Sequence, residues 1–201
     1  MAIVNGYCTL AQAKAALRIA DSTDDTLLEN AITSASRRID GYCGRFFYQT
    51  ASSVVAMNPY SLYLLTFPAD VSSGTGLVIK TDTAGDGTYA TTLVLNTDYI
   101  LTPTDAALQS RPYRNAYIVG SETFPLPVLQ AVPPIQVTAL WGWAAVPADV
   151  EQACVLLSIR QFARLNAALG VVGFADMAIT VRAVDPDVRD LLSPYVEFGV
   201  A

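Results

Sequence analysis

The sequence predicts an α+β fold: a helical bundle layer made of N-terminal helices plus a C-terminal helix, with an inserted antiparallel β-rich subdomain and a C-terminal arm. Three observations predict it. Apolar residues recur at three- and four-residue steps near both ends of the chain, the spacing of helices with one buried face. From about Thr50 to Ala145 the texture changes to short β-branched and aromatic runs separated by Gly, Asp, Asn and Pro, as in antiparallel strands and turns. Between these regimes stands "GWAAVPADVEQACVLL" at 142–157, which leaves a strand-like run, crosses a proline and two acids, and enters helical spacing. The chain thus returns to the helical layer it left. The expected parts are 1–48 (N-terminal helical part), 49–145 (β-rich insertion), 146–169 (helix completing the bundle) and 170–201 (C-terminal arm with a short helix).

The first helix begins at "TLAQAKAAL", where Thr9 caps and Gln12, three residues on, closes a capping box. Leu10, Ala13, Ala16 and Leu17 share a face. After the polar turn "ADSTDD" comes the clearest periodicity: Leu27, Leu28, Ala31, Ile32, Ala35, Ile39 and Tyr42. Asp24, Asp25 and Glu29 lie early in this second helix and Arg37 and Arg38 late, as the macrodipole prefers. It ends near Gly41 or Gly44, with Phe46, Phe47 and Tyr48 turning into the core.

In the insertion, "GLVIKT" and "YATTLVL" flank "DTAGDG", a hairpin by its glycines and acids. Further strands are expected in "DYILT", "AYIVG" and "IQVTALWGWA". Pro125, Pro127, Pro133 and Pro134 make a stiff, extended connection rather than sheet interior. Pro147 then suits the first turn of a helix, with Asp149 and Glu151 at its positive end. Val150, Ala153, Cys154, Leu157, Phe162 and Leu165 form its apolar face, to about Leu169. Beyond lie "LGVVGF", a possible strand "AITVRAV", and a short helix in which Asp185 caps, Pro186 takes the first position, and Val188, Leu191, Leu192 and Tyr195 line one side.

Composition narrows the function. The 201 residues suffice for a real core, as one domain or two small ones. Hydrophobic residues are 52% and charged residues 15%, against about 25% charged in an ordinary soluble domain, so part of the apolar excess is expected to cover partner contacts. Mean hydropathy is +0.36, yet no run approaches the roughly 18 to 20 apolar residues of a spanning helix, and the N-terminus lacks the basic start and cleavage site of a signal peptide. No membrane is expected. A net charge of −6 argues against capture of nucleic acid, which needs clustered Lys and Arg. Cys8, Cys43 and Cys154 are widely spaced and odd in number, which fits buried small hydrophobes in a reducing compartment, two of them on helices.

No chemistry is indicated. Histidine is absent, which removes the commonest general base and metal ligand. "TDTAGDG" fails as a calcium loop, because with Asp82 first the third position is Ala84 and the twelfth Leu93. No phosphate-cradling glycine motif occurs. Lys14 and Lys80 are the sole lysines and neither stands in an SxxK arrangement, while Asp105, Glu122 and Asp149 have no spacing that favours paired-carboxylate hydrolysis over surface acids. No catalytic residue, metal or cofactor is expected. Trp141 and Trp143 alternate in "LWGWA" and would share one strand face, packed against the helical layer or, in an alternative reading, presented to a carbohydrate by a small β-module on a helical support.

Three segments in this order, "TLAQAKAALRI" with "DDTLLENAITSASRRIDGYCGRFF", then "GWAAVPADVEQACVLLSIRQFARL", then "GVVGF" with "DPDVRDLLSPY", resemble the head–tail connector, or adaptor, proteins of long-tailed bacteriophages. The likeness covers roughly the first 48 and last 60 residues, and the central strand block departs from the more minimal helical members. The resemblance implies a structural virion protein, made in the host cytoplasm and residing in the neck. It implies a ring, usually of twelve copies, with the portal above, a tail, stopper or terminator protein below, and DNA passing through without specific binding. Twelve copies of a −6 chain carry roughly −72, which repels a threading duplex from the wall. For partner contacts the candidates are Phe174, Leu192, Tyr195 and Phe198 in the arm, and Trp141 and Trp143; a C-terminal helix folded onto its own core is an equal alternative for the arm.

Overall fold

Thr9 does what its neighbourhood dictates. In the computed structural model, which describes residues 3–127, 132–166 and 186–197, its hydroxyl accepts from the Gln12 N–H at 3.2 Å and the Gln12 side chain accepts from the Thr9 N–H at 2.7 Å. Two of the four donors orphaned at a helix start are thereby satisfied. Helix α1 follows over Leu10–Leu17 and buries Ala13; Ala16, expected on the same face, is exposed.

Helix α2 spans Asp25–Cys43 and buries Leu28, Ala31, Ile32, Ala35, Ser36, Ile39 and Cys43. It stops at Gly44, whose left-handed φ of 70° closes the last turn with a bond to the Asp40 carbonyl. Leu27 and Tyr42 depart from the expected stripe, being 45% and 38% exposed. Each immediately precedes a fully buried residue, and one residue of helix rotates a side chain by about 100°, off the edge of a stripe of about that width. Phe47 is buried, whereas Phe46 and Tyr48 are half-buried and stacked on each other at 4.8 Å.

Helix α3 spans Ala148–Asn166, beginning one residue after Pro147, whose carbonyl accepts the first helical bond from the Glu151 N–H at 2.9 Å. Val150, Ala153, Cys154, Ser158 and Phe162 are buried; the Leu165 side chain lies outside the described residues. Helices α2 and α3 make the main packing, α1 rests on both, and α4 (Pro186–Leu192) rests on α3, followed by a single 3-10 turn at Ser193–Tyr195. Pro186 opens α4 as expected, and Val188 and Leu192 are buried beneath it. The "GVVGF" stretch, the strand proposed in "AITVRAV" and the Asp185 cap lie outside the described residues. All three cysteines are free and buried, Cys43 and Cys154 on helices. The described residues of 1–48 and 146–201 form one compact unit. No helix among the described residues is long and apolar enough to cross a membrane.

Residues 49–145 form the second unit, with seven antiparallel strands in two sheets among the described residues. The first sheet runs β1 (Ser53–Met57), β7 (Ile135–Ala139), β3 (Val78–Thr81), β4 (Thr91–Leu93). The second runs β2 (Leu64–Val71), β6 (Tyr113–Ile118), β5 (Tyr99–Thr102). The pleat sorts side chains by face. Leu65, Ala116 and Leu101 oppose one another across the second sheet and are all buried, as are Met57, Ile135 and Thr81 across the first.

The expected hairpin is β3–β4. Its turn is held by Asp82, a buried carboxylate that accepts from the Gly85 and Gly87 N–H groups at 2.7 Å each. Strand β2 contains Pro68, which occupies an edge strand where the register breaks between Thr66 and Val71, the one kind of place a sheet admits proline. Pro125 and Pro127 sit outside any strand.

Candidate functional site

The run "IQVTALWGWA" is not one strand. Strand β7 ends at Ala139, and Gly142 at φ 95° breaks the alternation that would have put Trp141 and Trp143 on one pleated face. Each indole is instead buried in its own way, at 4% exposure. Trp141 meets Phe67 edge to face at 6.3 Å, and its ring N–H donates to the Ser53 carbonyl at 3.3 Å. Trp143 donates to Asp70 Oδ2 at 2.9 Å, and the Arg114 guanidinium holds the other oxygen of this buried carboxylate at 3.0 Å. A sugar-stacking platform needs an exposed ring face, and neither tryptophan offers one. Trp143 and Arg114 keep Asp70 supplied with donors, as a buried charge requires.

In the helical unit the polar side chains converge on Tyr7. Its backbone N–H donates to Ser36 Oγ at 3.0 Å, and the Ser36 hydroxyl donates to the Ile32 carbonyl at 2.8 Å, so a polar residue in the buried stripe of α2 is satisfied. The Tyr7 hydroxyl accepts from the Phe47 N–H at 2.8 Å and donates to Asp40. Burial and this bond push the phenol well above its usual range; burial also raises Asp40, against the pull of the Tyr7 hydroxyl and of Arg37. Arg37 lies 5.6 Å over the Tyr7 ring and 5.2 Å over that of Tyr48, and pairs with Asp40 at 3.1 Å.

Of the arm residues proposed for partner contacts, Leu192 is buried, and Tyr195 meets Phe47 edge to face at 5.6 Å while donating to Asp149 at 3.2 Å. Nearby, Glu197 pairs with Arg45 at 2.7 Å and its N–H caps the Cys43 carbonyl at 2.8 Å. Residues 186–197 are therefore folded onto their own helical unit. Phe174 and Phe198 lie outside the described residues.

Groups that could do chemistry stay dispersed. Asp105, Glu122 and Asp149 are each exposed, with Gln109 and Tyr195 bonding the first and last. Among the described residues no three His, Cys, Asp or Glu side chains are grouped to hold a metal ion. Cys8 and Cys154 form a buried cluster with Ser36 and Ser158, the Ser36 hydroxyl 3.4 Å from the Cys154 sulfur. Close contacts with Cys8 and the two serines lower the Cys154 thiol, while the contact with Cys154 and burial raise Cys8. Burial pushes the Cys43 thiol up to about 11.

What the molecule does present is surface. On the outer face of the second sheet Leu64, Tyr117 and Ile100 oppose one another across three strands, with Tyr117 and Ile100 exposed. The alternation in "DYILT" and "AYIVG" carries that row, but pairing the two runs takes the register. On the helical unit, the two flanks of α4 differ in charge: one holds Arg38 and Arg189, the other Asp149, Asp187 and Asp190.

Residues 7–66, 60 of the 201, match the family of phage gp6-like head-tail connector proteins. The chain is similar to phage head–tail connectors. In fold the similarity runs its whole length. A chain of the neck of an empty gene transfer agent (GTA) particle, with C6 symmetry, is 18% identical, covers 100% of this chain and 95% of its own, and gives a TM-score of 0.58. A chain of the native GTA neck with C12 symmetry is 19% identical over 100% of this chain and 94% of that one, TM-score 0.57. One from the virion of the native GTA particle is 19% identical over 100% and 95%, TM-score 0.56. At these identities the likeness is one of fold. No curated protein matches the sequence.

Proposed function

We propose that this chain is a structural protein of a phage-type virion neck, which assembles into a ring of identical copies between the capsid portal and the tail and performs no catalysis. The observation that carries the reading is the end-to-end fold similarity to neck chains, β-rich insertion included, reinforced by the connector match over 7–66. Twelve copies are favoured by the C12 symmetry of one such neck. The charge of the chain suits the role, because a ring of copies at −6 each gives a passing duplex nothing to adhere to. DNA passes through this channel without specific binding, with the portal on one side and a stopper or terminator protein on the other. The chain is made in the host cytoplasm and ends in the particle. Within segment 170–201, Phe174 and Phe198 are the aromatic anchors of a contact with the portal or a neighbouring copy, since Tyr195 is taken up by Phe47 of its own unit.

The test is to mix the purified chain with isolated portal rings and image them in negative stain. A second ring of density stacked coaxially on the portal is expected. Portals that stay bare at saturating concentrations of the chain overturn the reading.

A further inference from the structure

A closed ring is built from a head-to-tail contact, so each copy must carry two different patches that fit each other. Resting on the ring reading above, we propose that the two flanks of α4 are those patches. At helical spacing Val188, Arg189 and Leu192 fall on one side of α4 and Asp187, Asp190 and Leu191 on the other. The first side faces α2 across a shallow apolar groove that holds Arg38, Tyr42, Leu157 and Arg189, with no acid among the described residues that line it. The second faces the start of α3 across an open cleft of about 540 Å³ that holds Asp149, Asp187, Asp190, Leu156 and Leu191, with no base among the described residues that line it. The arginines and aspartates are exposed, and Tyr42 is 38% exposed beside its groove.

The occupant of each flank is a second copy of this chain. Charge complementarity argues for it: the acidic cleft of one copy and the basic groove of the next are opposite in sign, while each is repelled by its own kind, which excludes a two-fold pairing of like flanks. Apolar side chains in both, Leu156 and Leu191 in one and Tyr42 and Leu157 in the other, supply area to bury behind the charges. Because both patches lie in one folded unit, on opposite sides of one helix, docking leaves each copy with a patch free for the next, and the chain of contacts can close.

The test uses two variants of the full chain, D149K/D190K (acidic flank reversed) and R38E/R189E (basic flank reversed). Milder partners D149N/D190N and R38Q/R189Q cover any loss of folding, checked by circular dichroism. Self-association is followed by sedimentation velocity at low salt. Each reversed variant alone is expected to associate roughly tenfold or more weakly than wild type, and the neutral pairs are expected to fall between. A one-to-one mixture of the two reversed variants is expected to recover association, since every contact in an alternating ring is again between opposite charges. Variants that associate like wild type, or a mixture that stays dissociated, overturn the contact and leave the ring reading standing. A wild-type chain that remains monomeric at every concentration reached overturns it as a contact two copies make unaided. The ring reading itself fails separately, by the bare portals described above.

Discussion

Replacing Tyr7 by Phe removes one oxygen and leaves the ring. That oxygen accepts from the buried Phe47 N–H at 2.8 Å and donates to Asp40, which Arg37 also holds at 3.1 Å. The edge contact with Phe47 at 5.6 Å survives the change, so the loss isolates the polar bonds. An orphaned buried N–H costs about 1 to 3 kcal/mol, and the lost bond to a half-buried carboxylate that keeps its arginine adds about 1. The expected destabilisation is therefore about 2 to 4 kcal/mol, at roughly 2 to 4 °C of Tm per kcal/mol for a chain this long. Urea unfolding followed at 222 nm, which reports the helices, should show the midpoint falling with an unchanged slope. Tyr60→Phe, at an exposed ring in the other unit, should shift it by less than about 0.5 kcal/mol. A Tyr7→Phe shift as small as that control would mean that the Phe47 amide does not depend on the Tyr7 hydroxyl.

In the β unit, Trp143→Phe takes a donor from buried Asp70 and should cost about 1 to 3 kcal/mol in thermal unfolding, and Asp70→Asn should cost more because Arg114 then loses its counter-charge. At the start of α1, Thr9→Ala removes the capping box and should cost about 1 kcal/mol by the same measurement. Alkali should destabilise the helical unit. Folding raises the Cys43 thiol from 9.0 to about 11, so the folded state keeps a proton the unfolded state releases, and the contribution is whole below about pH 9 and lost as pH rises through 11. Cys43→Ala should flatten that part of the stability curve, and an unchanged curve would mean the alkaline loss lies elsewhere.

Helices α2 and α3 were legible because each carries a long apolar repeat, and the starts of α1 and α4 because Thr9, Gln12 and Pro186 act within a single turn. The β3–β4 hairpin was legible through its glycines and Asp82. Strand β2 was not, since Pro68 speaks against a strand unless the edge position is known, and β1, Ser53–Met57, is only 5 residues long. Alternation misled at Trp141 and Trp143 because a glycine at positive φ between them resets the pleat. Leu27 and Tyr42 read as buried because periodicity fixes a stripe and leaves its edges to packing. The opposed flanks of α4 were invisible for another reason: Arg189 and Asp190 are adjacent in sequence, and only packing against α2 and α3 gathers Arg38 to one and Asp149 to the other.

The most direct test of the account is a reconstruction of the neck in the intact particle to which this chain belongs. A closed ring of copies of this fold is expected, stacked on the portal, around a channel whose wall makes no specific contact with the DNA. Density for this chain anywhere other than the neck, or in the neck as isolated copies without mutual contact, would contradict it.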